Sequence, residues 1–259
     1  MKTKPSIIAA ATSAALLMGS MAFAGSGHYH GESAWTYEGA TGPEHWGDLK
    51  KEYVLCKTGQ SQSPIDITGS TQANPPSLDV QYKPNAGTSS LKVKNNGHTI
   101  KVTDDAANRI KIDGKPYKLL QFHFHTPSEH RIDGKAAPME VHLVHQNPKK
   151  ELAVIGVMIN EGKESAALKA IWDDMPEEAG DKEKVKVKGF DASAFLPENR
   201  EFFHYSGSLT TPPCSEQVRW FVMKNPIEFS KDQIDKFKGT IGHSIRPVQP
   251  LNGRDIFAK

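Results

Sequence analysis

Five of the chain's 11 histidines fall within residues 121–145. The stretch reads Gln121-Phe122-His123-Phe124-His125, then Ser128-Glu129-His130, an Asp133-Gly134 turn, and Met139-Glu140-Val141-His142-Leu143-Val144-His145. Period-two alternation predicts two strands. In the first, His123 and His125 share one face and Phe122 and Phe124 the other. In the second, Glu140, His142 and Val144 oppose Val141, Leu143 and His145. Antiparallel pairing through the Asp133-Gly134 turn then brings three imidazoles to one point. Three neutral His nitrogens with a fourth position open are the donor set of a catalytic zinc site, where the open position holds the water that the metal acidifies. Gln121 and Glu140 each precede a ligand by two residues on the same face, which places them as acceptors for imidazole N–H groups. The competing reading of the same residues is an amphipathic hairpin with ordinary core and surface histidines.

Residues 1–24 have a basic start (Lys2, Lys4), an apolar middle and a small-residue exit at Ala22-Phe23-Ala24. That pattern predicts a cleaved secretory signal, too short and wrongly flanked for a membrane anchor. Residues 25–34, with His28 and His30, read as a flexible tail, and residues 35–259 as one domain large enough for a single core. The leader carries two lysines and no acid, so residues 25–259 balance at 30 basic and 30 acidic residues. A balanced charge gives no electrostatic reason to expect nucleic acid or an anionic membrane as partner. In an exported chain, Cys56 and Cys214 are expected to form one disulfide.

The remaining segments predict a mainly β chain, α+β by content, with short peripheral helices. Trp35, Tyr37 and Trp46 lie in an aromatic, turn-rich opening that caps one edge of the core, with His45 structural. Residues 74–84, with three prolines, favour extended edge structure. Residues 91–102 read as a strand carrying Asn95-Asn96-Gly97-His98, residues 109–120 as a hairpin through Asp113-Gly114, and residues 152–159 as a strand buried on both faces. Helices are expected over residues 165–172 and after Ser230, where Gln233 completes a capping box and Gly239 is the expected stop.

A second group of chemistry-bearing residues is Ser208-Leu209-Thr210-Thr211-Pro212-Pro213 before Cys214. The Pro-Pro step stiffens the loop. A threonine hydroxyl held there can accept a hydrogen bond from a reacting oxygen if it gives its own proton to a carboxylate, and Glu129 is the nominee. An ordinary turn and an ordinary surface acid remain the alternative for these residues taken alone.

Gln-x-His-x-His, Ser-Glu-His, Glu-x-His-x-Val-His, Gly-Ser-Leu-Thr-Thr-Pro-Pro, Asn-Asn-Gly-His and Trp-x-Tyr-x-Gly-x-x-Gly-Pro-x-x-Trp stand in one order over residues 35–251. Together they resemble the α-class carbonic anhydrases. The resemblance implies a large, mostly antiparallel twisted central sheet with the metal at the bottom of a cone-shaped cleft. It implies Zn2+ on His123, His125 and His142, with Gln121 and Glu140 behind them, and Thr210 held by Glu129 with Thr211 alongside. It makes His98 the proton shuttle and Tyr37 and Asn96 parts of its solvent network. Val144, Val154, Leu209, Val218 and Trp220 would line an apolar pocket for carbon dioxide, while His130 and Tyr205 would be buried structural partners. The activity implied is reversible hydration of carbon dioxide, with esterase activity on the side, in an exported and periplasmic protein that forms a homodimer.

Two positions depart from the family pattern. Lys101 stands where a neutral residue is common, and its charge is expected to lower the pKa of His98. Ser244 stands before Arg246-Pro247 where Asn is common, but the family uses a backbone carbonyl there, so zinc binding is expected to survive. Two rival readings use the same residues. His123-x-His125-x-x-x-Glu129 also fits a cupin-type site with Glu129 as a ligand to iron or manganese. A zinc-binding or adhesive protein on the same scaffold is the non-enzyme reading.

Overall fold

The computed structural model describes residues 35–259. The expected leader and the tail with His28 and His30 lie outside these residues. The strands are β1 (Asp66–Ile67), β2 (Leu78–Gln81), β3 (Thr88–Asn95), β4 (Ile100–Thr103), β5 (Arg109–Ile112), β6 (Lys115–His125) and β7 (Arg131–Ile132). They continue as β8 (Met139–Gln146), β9 (Leu152–Glu161), β10 (Lys182–Lys188), β11 (Phe202–Ser208), β12 (Glu216–Met223), β13 (Ile227–Phe229) and β14 (Phe257–Ala258). The α-helices are α1 (Trp46–Leu49), α2 (Leu55–Thr58), α3 (Ala166–Trp172) and α4 (Lys231–Ile241).

Twelve strands form one sheet in the order β10-β3-β4-β6-β8-β9-β12-β11-β14, with β5 and β2 attached beyond β6 and β13 beside β9. Pairing is antiparallel except where β9 meets β12 and β13. Those two parallel joins make the sheet mixed, though still mostly antiparallel.

The period-two pattern gives the middle strands two buried faces. Phe122, Phe124, Val141, Leu143, Ile155 and Phe221 enter the main core, which α3 and α4 cover with Trp172, Ile234 and Phe237. Each such side chain contributes about 1.5–3 kcal/mol on leaving water. On the opposite face Val144, Val154, Val218 and Trp220 pack with Tyr205 and Ile65. Between these apolar layers β8 carries Glu140 and His142, both essentially inaccessible to water. A third cluster joins Trp46, Cys56 and Cys214, with Trp35 and Tyr37 packed against it, at the edge where the aromatic opening was expected.

Local signals held at α3, where Ser165 caps the helix, and at the β5–β6 turn, where Asp113 and Gly114 have φ of 51° and 77°. Three details differ from expectation. Residues 91–102 are not one strand but the hairpin β3–β4, because Asn96 Oδ1 accepts from the backbone N–H of His98 (3.0 Å) and Thr99 (2.8 Å) and closes a turn at Gly97. The Asp133-Gly134 turn does not join β6 to β8 directly. It tips a separate excursion whose β7 pairs in parallel with β1, and the Glu129 and His130 N–H groups fold that excursion back onto Glu140 Oε2 at 2.9 Å each. Finally, α4 runs past Gly239 and stops at Gly242, whose φ of 78° provides the reversal. One interior Gly costs only about 1 kcal/mol, less than the end of a helix whose Ile234 and Phe237 are anchored in the core.

Candidate metal centre

Register puts His123 directly opposite His142 across β6 and β8, with His125 two residues along. One ring nitrogen from each of the three lies within 4.8 Å of the other two. The opposite nitrogen of each ring is already committed. His123 Nδ1 donates to Gln121 Oε1 at 2.9 Å, His125 Nδ1 to the Ser244 carbonyl at 2.6 Å, and His142 Nε2 to Glu140 Oε1 at 2.8 Å. Those acceptors fix the tautomers, so His123 Nε2, His125 Nε2 and His142 Nδ1 present lone pairs to a common point. His125 Nε2 is buried without a hydrogen-bond partner among the described residues, as a ligand atom would be. Burial keeps all three imidazoles neutral: it holds His123 well below its ordinary range, assisted by the other two rings and the Lys101 charge, His125 down to about 4, and His142 below 6.5. The donor set fits zinc.

Behind the ligands, burial pushes the Glu140 carboxyl up, but the imidazoles of His130 and His142, each hydrogen-bonded to it, outweigh that effect and hold Glu140 well below the usual carboxylate range. His130 is no ligand in this arrangement. Its Nδ1 bonds Glu140 Oε1 at 2.8 Å and its Nε2 bonds the Tyr205 hydroxyl at 2.7 Å, which in turn meets Ser63 Oγ at 2.8 Å. That chain crosses the layer beneath the ligands and places His130 and Tyr205 as buried structural partners.

Glu129 is buried beside the same point. Burial raises its pKa to about 7, while His142, the Arg246 N–H and the Thr210 hydroxyl pull it down. Oε1 accepts from Arg246 N at 2.9 Å. Oε2 lies 3.5 Å from His125 Nε2 and 3.9 Å from His142 Nδ1, and makes no hydrogen bond of full geometry. Thr210 is buried and Thr211 partly so, in a loop whose Pro212-Pro213 bond is cis. The loop is fastened by the Cys56–Cys214 disulfide, so the two cysteines pair as the sequence implied.

The apolar residues expected near the metal share one cluster: Val144, Val154, Val218 and Trp220, with Leu209 against them. Trp220 donates Nε1–H to the Ser208 carbonyl at 2.9 Å and turns its edge to His142, 4.9 Å between ring centroids. His45 is exposed, beside Glu44, at the start of α1.

His98 sits at the tip of the β3–β4 turn, stacked on Trp35 at 3.6 Å and 8° and edge-on to Tyr37 at 6.0 Å. Burial there lowers it to about 4. This corrects the expectation for Lys101: its charge acts on His123, opposite which it pairs, and burial, not Lys101, depresses His98. Tyr37 is pushed well above the ordinary phenol range by burial and by the Glu129 charge. The Oδ1 of Asn96 is taken up by the turn that aims His98.

Sequence reasoning assigned no role to two residues that support this geometry. Gly156 lies opposite His142, and a Cβ there would come 2.8 Å from Glu140 Oε1. Arg246 is almost wholly buried. Its guanidinium reaches Gln62 Oε1 (2.8 Å), the Ser63 carbonyl (2.9 Å) and the Cys56 carbonyl (2.8 Å), so it ties the disulfide helix to the backbone that holds Glu129. The Arg-Pro pair was visible as a family mark, but only the fold shows which acceptors it serves.

Three neutral imidazoles converging from two adjacent strands, each ring fixed by its own acceptor and a Glu–Thr pair alongside, form a group on a β-sheet that could hold a metal ion, as in a metalloenzyme. The model of the eukaryotic-type carbonic anhydrase family matches residues 41–259. A carbonic anhydrase from Neisseria gonorrhoeae is 42% identical over 246 residues, covering 94% of each chain. One from Nostoc sp. is 45% identical over 225 residues, 85% of this chain and 84% of that one. The solved α-carbonic anhydrase of Thermovibrio ammonificans, in complex with the inhibitor sulfanilamide, superposes with a TM-score of 0.82 at 46% identity, over 88% of this chain and 100% of that one. The chain belongs to the eukaryotic-type, or α, carbonic anhydrase family. It is accordingly an enzyme of carbon dioxide hydration, the general activity of that family.

Proposed function

We propose that this chain hydrates carbon dioxide reversibly with Zn2+ held by His123 Nε2, His125 Nε2 and His142 Nδ1. The observation that carries the proposal is the commitment of each ring's other nitrogen to Gln121, Ser244 and Glu140, which leaves three converging lone pairs. When bound, zinc supplies the Lewis acidity that makes water a nucleophile at neutral pH. Of the two groups of described side chains that could hold a metal, His123–His125–His142 and His130–Glu140–His142, neither includes Glu129, which favours this reading over a cupin-type site.

The chain's own residues supply the rest. Thr210 gives its hydroxyl proton to Glu129, so its oxygen can only accept, which orients the reacting oxygen. Thr211 borders the same space. Val144, Val154, Leu209, Val218 and Trp220 offer an apolar wall on which an apolar gas is held loosely and from which a charged product departs. His98 carries the proton outward after its ring leaves Trp35 for water, where its pKa returns toward about 6.5, with Tyr37 and Asn96 contacting the intervening solvent. Esterase activity by the same nucleophile accompanies this function.

Residues 1–24 act as an export signal that delivers residues 25–259 to the periplasm, in line with the disulfide, which persists in oxidising compartments. N-terminal sequencing of the periplasmic protein checks the cleavage, and sedimentation the expected homodimer. The deciding experiment is stopped-flow carbon dioxide hydration with metal analysis: activity should vanish with a chelator and return with zinc. A zinc-loaded protein no faster than buffer would overturn the proposal.

A further inference from the structure

Cross-strand register draws one line over the sheet. Lys182 of β10 lies opposite Lys94 of β3, Lys94 opposite Lys101 of β4, Lys101 opposite His123 of β6, and His123 opposite His142. Directly opposed residues share a face. Three ammonium-bearing residues therefore approach the metal centre in steps of one strand, about 5, 10 and 15 Å from His123 along the sheet. Lys182 and Lys94 are exposed and Lys101 is half-buried.

Like charges set directly opposite one another destabilise a sheet, so the row calls for a reason. Lysines on the edge strand β10 have an ordinary one, since they discourage edge-to-edge pairing. That reason does not reach Lys94 and Lys101, which lie on interior strands. Neutralisation does not explain the row either. Among the described residues Asp105 pairs with Lys92 of the neighbouring row at 3.7 Å, and no ion pair involves Lys94, Lys101 or Lys182. Glu183 stands opposite Val93, whose side chain enters the core, and so does not share the lysine face.

We propose that Lys182, Lys94 and Lys101 form an anion guide that draws bicarbonate, or a small oxyanion like it, across the open face of the sheet to the metal centre. The inference rests on the reading of His123, His125 and His142 as a zinc site, and adds to it a specificity device for the charged partner of the reaction. A strip of unpaired cations raises the local anion concentration, and salt weakens the effect within a Debye length of about 8–10 Å. The equilibrium of the reaction ties the forward and reverse values of kcat/KM together. The guide therefore acts by lowering the dissociation constant of the anion and does not favour one direction.

The test is calorimetric titration of the zinc-loaded protein with thiocyanate as probe anion, at about 0.01 M and about 0.5 M ionic strength. The triple variant Lys94→Gln, Lys101→Gln, Lys182→Gln should bind thiocyanate about three- to ten-fold more weakly at low salt and nearly as well as the parent at high salt. The single variants, which retain two of the three charges if the triple variant folds poorly, should grade with distance: Lys101→Gln most, Lys94→Gln less, Lys182→Gln least. Silence of Lys94→Gln and Lys182→Gln, or a loss that salt does not change, overturns the guide. If the parent hydrates carbon dioxide while the triple variant keeps its thiocyanate affinity, the guide alone fails. A zinc-loaded parent with neither hydration nor anion binding removes the metal reading and the guide with it.

Discussion

The stacking of His98 on Trp35 sets a measurable limit on proton transfer. At 3.6 Å and 8° the indole covers one face of the imidazole, and burial lowers the ring to about 4. At pH 6 such a ring is only about 1% protonated, whereas one with an ordinary value near 6.5 is about 75% protonated. Replacing Trp35 by Leu removes the stack but keeps apolar volume against Trp46, at a stability cost of about 1–2 kcal/mol. The His98 titration followed by NMR should then move from about 4 toward 6.5. The sign for stability follows from linkage: between about 4 and 6.5 the unfolded chain binds a proton that the folded chain does not, so this histidine makes stability fall as pH drops through that window. The fall should shrink in Trp35→Leu. Turnover in dilute buffer near neutral pH should rise in the variant if leaving the indole is the slow step, and His98→Ala should lower turnover more than kcat/KM, with rescue by imidazole buffer. A parent His98 that titrates near 6.5, or a variant that still titrates near 4, would refute the reasoning.

Other outcomes follow from contacts behind the site. Gly156→Ala places a Cβ 2.8 Å from Glu140 Oε1, so the partner of His142 must shift; zinc affinity, read by competition with a chromophoric chelator, should fall about 10- to 100-fold. Arg246→Met leaves Gln62 Oε1 and the Ser63 and Cys56 carbonyls without their buried donor and should cost about 3 kcal/mol or more in urea unfolding at neutral pH with the disulfide intact. His204 is held at about 4 and His145 at about 3, in both cases mainly by burial. Each stays neutral in the fold while the unfolded chain protonates near 6.5, so urea midpoints should decline from pH 6.5 toward pH 3. His145→Phe should flatten the lower part of that decline.

What residues 121–145 could determine alone was their faces, because a strand has a period of two and a ligand set that alternates with phenylalanines leaves no other arrangement. The same local logic gave the Asp113-Gly114 turn, the helix over residues 165–172 and the capping box of α4, and two distant cysteines gave their own pairing. The turn beginning at Asn96 was missed because its signal sits inside an apolar alternation that runs on through it. The stop of α4 was misplaced because a helix anchored by Ile234 and Phe237 carries one Gly at small cost. Only tertiary structure could decide that β9 and β12 run parallel, that Gly156 must lack a side chain, that Arg246 is buried beneath Glu129, and that Trp35 covers His98. Each of these depends on which distant segments meet, and sequence periodicity reports the direction of a side chain without naming what it will touch.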